Sequence, residues 1–281
     1  MTFVSSMLTI YNQSIPFLQT DSYNFNRRLR LSEDSFYFIE EVKGITVGFT
    51  VINQNSILAL CVSPQYQNRG IGTKLLHKSE NSIFERGYSS IVLGRSNQTY
   101  LFQGVPYNDH YNPSGFFQKH GYAASWSSID MILPLKDFSF GKAQIPAVSD
   151  AITFRYAEKR DEEFLQEKVL KVNPTWCTYY THAEDVVYLA EEKDEIIGFV
   201  LICEDNMPFA INFDGKVGGL ACLGVVPEKR NRGVGLQLAA QGTRELKQMG
   251  CDYSYIGYTW LEDWYGSLGY HTYTHFWMGE K

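Results

Sequence analysis

The sequence lacks any apolar run long enough to cross a bilayer, and its first twenty residues lack the basic start and unbroken apolar stretch of an export signal. A soluble, cytoplasmic protein without a membrane partner is expected. Cysteine is sparse: Cys61, Cys177, Cys203, Cys222 and Cys251 are odd in number, form no CxxC pair and fall largely in apolar, strand-like runs. Buried free thiols suit that pattern better than a disulfide frame, a catalytic role or a metal. The histidines, His77, His110, His120, His182, His271 and His275, show no ligand spacing, so no metal is expected. Neither GxxxxGK[ST] nor a βαβ unit opening with GxGxxG is found, which argues against ATP and dinucleotides. Basic charge is short too. The formal net charge is −6, made of +2 through residue 149 and −8 from Asp150 onward. An acidic second half argues against nucleic acid as a partner.

What is present suffices for two packed interiors. The chain has 281 residues, 44% hydrophobic and 20% charged, with 18 Phe, 19 Tyr and 5 Trp, which suits two ordered domains of common size. Leu60 to Gly87 aligns without gaps onto Leu223 to Gly250, with nine of 28 positions identical. The shared positions include Val62/Val225, Pro64/Pro227, Asn68/Asn231, Arg69/Arg232, Gly70/Gly233, Gly72/Gly235 and Leu75/Leu238. Two copies of one α/β fold follow, divided near residue 145 into 1–145 and 146–281.

Each copy reads alike. A hairpin turns at Lys43-Gly44 or Lys193-Asp194, and a third strand, Ser56 to Val62 or Lys216 to Val226, follows it. The second copy reaches its third strand through a longer loop holding Asp205, Pro208 and Asp214. A glycine loop then opens a helix that stops at Gly87 or Gly250. Strand candidates follow at Ser90 to Gly94 and Tyr253 to Tyr258. From helix stop to the last glycine of the matching short segment, Gly121 or Gly269, the first copy runs 34 residues and the second 19, so the first carries a loop insertion around Tyr100 to Tyr111.

The loops Gln67-Asn68-Arg69-Gly70-Ile71-Gly72 and Arg230-Asn231-Arg232-Gly233-Val234-Gly235 each join a strand to a helix N-terminus. There, glycines let backbone N–H groups turn toward an anion that the helix dipole also favours. The pattern Leu-x-Val-x-Pro-x-x-[Gln/Arg]-x-x-Gly-x-Gly, at Leu60 to Gly72 and Leu223 to Gly235, resembles the acyl-CoA signature of the GNAT superfamily of N-acyltransferases. The resemblance implies two tandem GNAT-like domains, each a mixed, splayed, mostly antiparallel sheet flanked by helices. It also implies acetyl-CoA as co-substrate. Backbone groups of Leu60 to Val62, or Leu223, Gly224 and Val225, would hold the pantetheine arm. Amides of Gln67 to Thr73, or Arg230 to Leu236, would hold the pyrophosphate. Gly224, where the first copy has Cys61, would ease a bulge turning an N–H toward the thioester carbonyl.

Transfer to an amine needs an uncharged nucleophile, a donor to the thioester oxygen and an acid for the departing thiolate. The family commonly uses a tyrosine in a segment resembling Phe-Tyr-x-x-Leu-Gly-[Phe/Tyr]. Trp264-Tyr265-Gly266-Ser267-Leu268-Gly269-Tyr270 matches it, which assigns Tyr265 the acid role. Phe117 stands at that place in the first copy, so the second copy is the expected catalyst and the first is expected to be degenerate. Tyr100, His110 or Tyr111 from the insertion could substitute there. No general base is evident; Glu192, Glu204, Glu262 and Asp263 are candidates only. The expected function is N-acetyl transfer from acetyl-CoA to a small amine in a ternary complex. The alternative is a non-catalytic acyl-CoA-binding or sensory protein, favoured by Phe117 and the missing base.

Overall fold

A computed structural model describes residues 3–30, 35–96, 99–141, 143, 145–181, 186–204 and 207–281. His182 and Asp205, named above, lie outside them. The chain forms two compact units that do not follow a single cut in the sequence. The first holds Met1–Ile129, Pro208–Asp214 and Thr274–Lys281, and the second Asp130–Met207 and Gly215–Tyr273.

In the first unit, helices α1 (Phe3–Ser14) and α2 (Ser22–Leu29) precede the sheet. Asp21 caps α2 by accepting from Asn24 N. Strands β1 (Phe36–Val42), β2 (Ile45–Asn53) and β3 (Ser56–Val62) pair antiparallel. Lys43 and Gly44 both take positive φ, 52° and 77°, as a two-residue hairpin demands. Helix α3 (Ile71–Glu85) returns to β4 (Val92–Leu93). That strand pairs parallel with β3 at only Ser56↔Val92 and Ile57↔Leu93. Beyond Ile57 the two strands part. The insertion contains β5 (Val105–Tyr107), and α4 (Ser114–Lys119) follows. Ile52, Ile57, Leu76, Ile83, Leu93 and Phe117 are among the residues of one buried core under this sheet.

Strand β6 (Ser127–Pro134) leads into the second unit. That unit holds β7 (Ile152–Tyr156), α5 (Glu162–Val172), α6 (Cys177–Thr181), β8 (Val186–Glu192), β9 (Glu195–Cys203) and β10 (Val217–Val225). It continues with α7 (Val234–Gln248), β11 (Tyr253–Thr259) and α8 (Glu262–Gly266), and β12 (His271–Trp277) begins in it. Strands β7 to β10 are antiparallel neighbours. The parallel pairing of β10 with β11 stops after Gly219↔Tyr255, so this copy splays as the first does. Both sheets are mixed, mostly antiparallel and flanked by helices, the expected fold class.

The repeat extends to dihedral angles. Asn68 and Gly70 take φ of 59° and 79°, and Asn231 and Gly233 take 61° and 80°. Both long helices span fifteen residues and stop before a glycine at positive φ, Gly87 or Gly250. No described helix is long and apolar enough to cross a membrane.

Candidate active site

The parting of β3 from β4 leaves a cleft of about 480 Å³ in the first unit. One wall is β3 itself, Ile57 to Val62, and the floor of the loop end is Gln67, Asn68, Gly70, Gly72 and Thr73. The far wall combines Leu93 and Gly94 with the inserted segment through Phe102, Val105 and Tyr111. Expected donor-binding residues Leu60, Val62, Gln67, Asn68, Gly70, Gly72 and Thr73 are thus brought to one cavity. Arg69 lies over the ring of Tyr66 at 5.3 Å, and Ile71 packs under the hairpin near Gly48. Gln67 Nε2 donates to Val62 O at 3.0 Å and ties the loop back to the strand end.

The site can be tested for a long, anionic thioester. A methyl group built on Gly70 meets nothing within 4 Å, and Gly70 is exposed, so the helix start is open. Thr73 adds a partly exposed hydroxyl in the first turn. An apolar trench ending on exposed amides suits a pantetheine arm and a pyrophosphate.

The second loop has the same backbone and different surroundings. Arg230 Nε donates to Val225 O at 3.0 Å, the counterpart of the Gln67 bond. A methyl group built on Gly233 would stand 3.0 Å from Pro146 Cγ and 3.4 Å from Val148 Cγ1. Gln237 Nε2 fastens that segment by donating to Pro146 O at 3.0 Å. Val234 is 1% exposed and Leu236, in place of Thr73, is buried. Glu192 takes Arg232 on both oxygens, at 2.5 and 3.0 Å, and Lys229 at 2.6 Å. These cations hold its carboxyl down at about 2, so it stays charged beside the loop. An apolar cover on the helix start, with Arg232 and Lys229 already engaged by Glu192, disfavours an anion there.

Strand β10 does bulge: its register with β9 shifts between Ala221 and Gly224, with Cys222 at φ 49°. Gly224 is required by packing, since a methyl group there would fall 2.6 Å from Phe199 Cε2 and 2.9 Å from Val172 Cγ1. Leu223 and Val225 flank it on the half of β10 that has left β11. Asn231 and Gly235 complete the loop, Gly235 lying beneath the Trp264 ring.

Tyr265 is 7% exposed, and burial pushes its phenol up. Its ring stands edge-on to Trp264 at 4.6 Å and to Tyr270 at 5.8 Å. Phe117 does the same with Phe116 and Tyr122, at 5.1 and 5.8 Å, and is also 7% exposed. The two positions therefore share a packing role. Tyr111 lines the open cleft, its ring edge-on to Phe17 at 5.5 Å. Its phenol is also pushed up, first by burial and then by the neighbouring Cys61, so it keeps its proton. Of the other substitutes, His110 is exposed on the loop and Tyr100 pairs with Arg95 across a short bridge.

Cys61 lines the cleft, and burial pushes its thiol up to about 12. Among the described residues, none lining the cleft is a carboxylate or a histidine. Of the base candidates, Glu204 is taken by Lys216 and Glu262 accepts from Thr272 Oγ1 at 2.5 Å. Asp263 is exposed.

Residues 15–129 match the family described as "Acetyltransferase (GNAT) domain", and residues 149–270 the one described as "Acetyltransferase (GNAT) family". No curated protein matches the sequence. Among solved structures, the chain resembles a GCN5-related glucosamine N-acetyltransferase region of a fungal multi-domain GH3 beta-N-acetylglucosaminidase. That likeness has a TM-score of 0.84 and 24% identity over 99% of this chain, which spans 37% of that protein. A GCN5-related N-acetyltransferase from Sphaerobacter thermophilus gives 0.69 at 16% identity, covering 99% of this chain and 92% of that one. A tandem GNAT protein from the clavulanic acid biosynthesis pathway gives 0.71 at 12%, covering 99% and 94%. At these identities the likenesses establish the fold.

Proposed function

Since the chain belongs to the GNAT superfamily and carries two of its domains in tandem, we propose that it acetylates a primary amine of a small acceptor from acetyl-CoA. The transfer is by direct attack in a ternary complex, and it runs in the cleft of the first unit. The observation that carries this reading is the contrast between the two glycine loops: Gly70 is open, whereas Gly233 meets Pro146 and Val148. It reverses the assignment expected from Tyr265.

Acetyl-CoA supplies the acetyl group as a thioester and departs as a thiol. Amides of Gln67 to Thr73 bind its pyrophosphate, and backbone groups of Leu60 to Val62 orient the arm. Cys61 stays a neutral thiol, which makes it a poor acyl carrier and favours attack by the acceptor itself. With no acidic or imidazole group among the described lining residues, the proton of the amine goes to water in this reading. Tyr111 holds a proton at Oη on the cleft wall and gives it to the departing sulfur. An amino sugar is the first acceptor to try, on the likeness to the glucosamine N-acetyltransferase region. The Tyr111 ring on the cleft wall offers it an aromatic surface.

A second reading keeps the chemistry in the second copy, with Tyr265 as acid. Its support is the match of Trp264 to Tyr270 to the family segment, together with a Tyr265 hydroxyl that bonds no described residue. Single-turnover assays of Tyr111→Phe and Tyr265→Phe separate the two. The first reading fails if only Tyr265→Phe slows acetyl transfer. A pure acyl-CoA binder would release no thiol from the wild type with any amine in a panel.

A further inference from the structure

The far wall of the first-unit cleft is held by the end of the sequence. Strand β4 is two residues long. Its β3 side is satisfied by Val92 N donating to Asn55 O and Gly94 N donating to Ile57 O, at 3.0 and 2.8 Å. On its other side Ile91 and Lys281 exchange N–H···O bonds of 2.7 and 2.8 Å, and Leu93 N donates to Gly279 O at 3.0 Å. The inserted part of the wall hangs from the same segment, with Val105↔Trp277, Pro106↔Phe276 and Tyr107↔His275 paired antiparallel. Lys281 Nζ also reaches Glu80 on α3 at 2.9 Å.

The fit is tight where the parts meet. A methyl group on Gly104 would lie 2.8 Å from both Trp277 O and Met278 Sδ. One on Gly94 would lie 2.6 Å from Gly104 N. Trp277 packs against the core cluster that includes Ile57, Leu93, Val105 and Phe117, all of which also line the cleft. Once β4 leaves β3, no ladder bond between them fixes the gap, so the width of the cleft depends on what β4 and β5 rest against.

We propose that residues Trp277–Lys281 are a positioning segment for the donor cleft: they set the distance of β4 and the inserted wall from β3, and with it the fit of the acyl donor. The inference rests on reading this cleft as the donor site. Two full-length-based variants test it. Gly104→Ala removes no hydrogen-bonding group and forces a shift between the wall and Trp277–Met278, because its methyl group would stand 2.8 Å from Trp277 O. A chain ending at Met278 removes the partners of Ile91 and Leu93. Each is titrated calorimetrically with acetyl-CoA and melted without ligand, with amide exchange of α7, β9 and β10 as an internal control.

The expected result is a donor Kd raised about tenfold or more in both, because wall shifts near 1 Å are costly to a fitted site, with exchange in those three elements at wild-type levels. A melting temperature that falls while Kd stays within twofold would overturn the proposal and leave the segment a merely stabilising one. Should the shortened chain fail to fold, Gly104→Ala decides alone. If Gly70→Val leaves acetyl-CoA binding to the otherwise wild-type protein intact, the donor reading itself is refuted, whatever the tail variants do.

Discussion

The two copies share a loop down to its dihedral angles and differ in what lies on it. In the first, the helix start faces an open trench, Arg69 rests on Tyr66 and Thr73 offers a hydroxyl. In the second, Pro146 and Val148 cover the glycine, Glu192 pairs with both Arg232 and Lys229, and Leu236 is buried. The glycines persist in both because the backbone turn into the helix requires φ near 80° whether or not an anion is bound. A phosphate motif therefore records a turn first and a site second. The surroundings decide which.

Four changes would break or sharpen this contrast. The largest effect is expected from Tyr111→Phe, which should cut the chemical step about 10²- to 10⁴-fold in single-turnover assays while acetyl-CoA binding persists. Gly94→Ala comes next. At φ 90°, with Gly104 backbone 2.6 Å from the new carbon, it should cost about 1–3 kcal/mol or more by denaturant unfolding and weaken donor binding.

A smaller effect concerns the second loop. Glu192 has its carboxyl lowered from 4.5 to about 2 by Arg232 and Lys229, so its contribution to stability is present above the unfolded value and fades as pH falls toward 2. The melting-temperature gap between wild type and Glu192→Gln should be constant near neutrality and close progressively below pH 4.5. The smallest effect is expected from Tyr265→Phe. If its ring packs as Phe117 does, the rate should stay within about threefold of wild type, far short of a lost acid.

Much of the fold was legible because its signals are local. Hairpin turns at Lys43-Gly44 and Lys193-Asp194, glycine stops at Gly87 and Gly250, and helix starts after Gly70 and Gly233 each answer to a positive φ within a few residues. The offset repeat then multiplied that information by two. The lining of the first cleft was legible in part, as loop residues Gln67, Asn68, Gly70, Gly72 and Thr73 and as Tyr111 of the insertion. Which loop is open was not, because the cover on Gly233 comes from Pro146, far away in sequence and unremarkable in composition. Nor was the interleaving of the units legible. Thr20 Oγ1 donates to Pro208 O at 2.5 Å across 188 residues, and Asn212 Nδ2 to Gln19 O at 2.9 Å. Such pairings follow from the folded topology and leave no periodic trace. Helices α1 and α2 lie outside the aligned stretch, as α5 and α6 do ahead of the hairpin of the second copy, so the repeat did not reveal them.

The central claim is that the first loop, and the first alone, holds the acyl donor. Calorimetric titration of acetyl-CoA into wild type, Gly70→Val and Gly233→Val, each checked for native fold, tests it most directly. The account predicts one site per chain in wild type, no binding in Gly70→Val and unchanged affinity in Gly233→Val. Binding that survives Gly70→Val and disappears with Gly233→Val would contradict it and return the chemistry to the second copy.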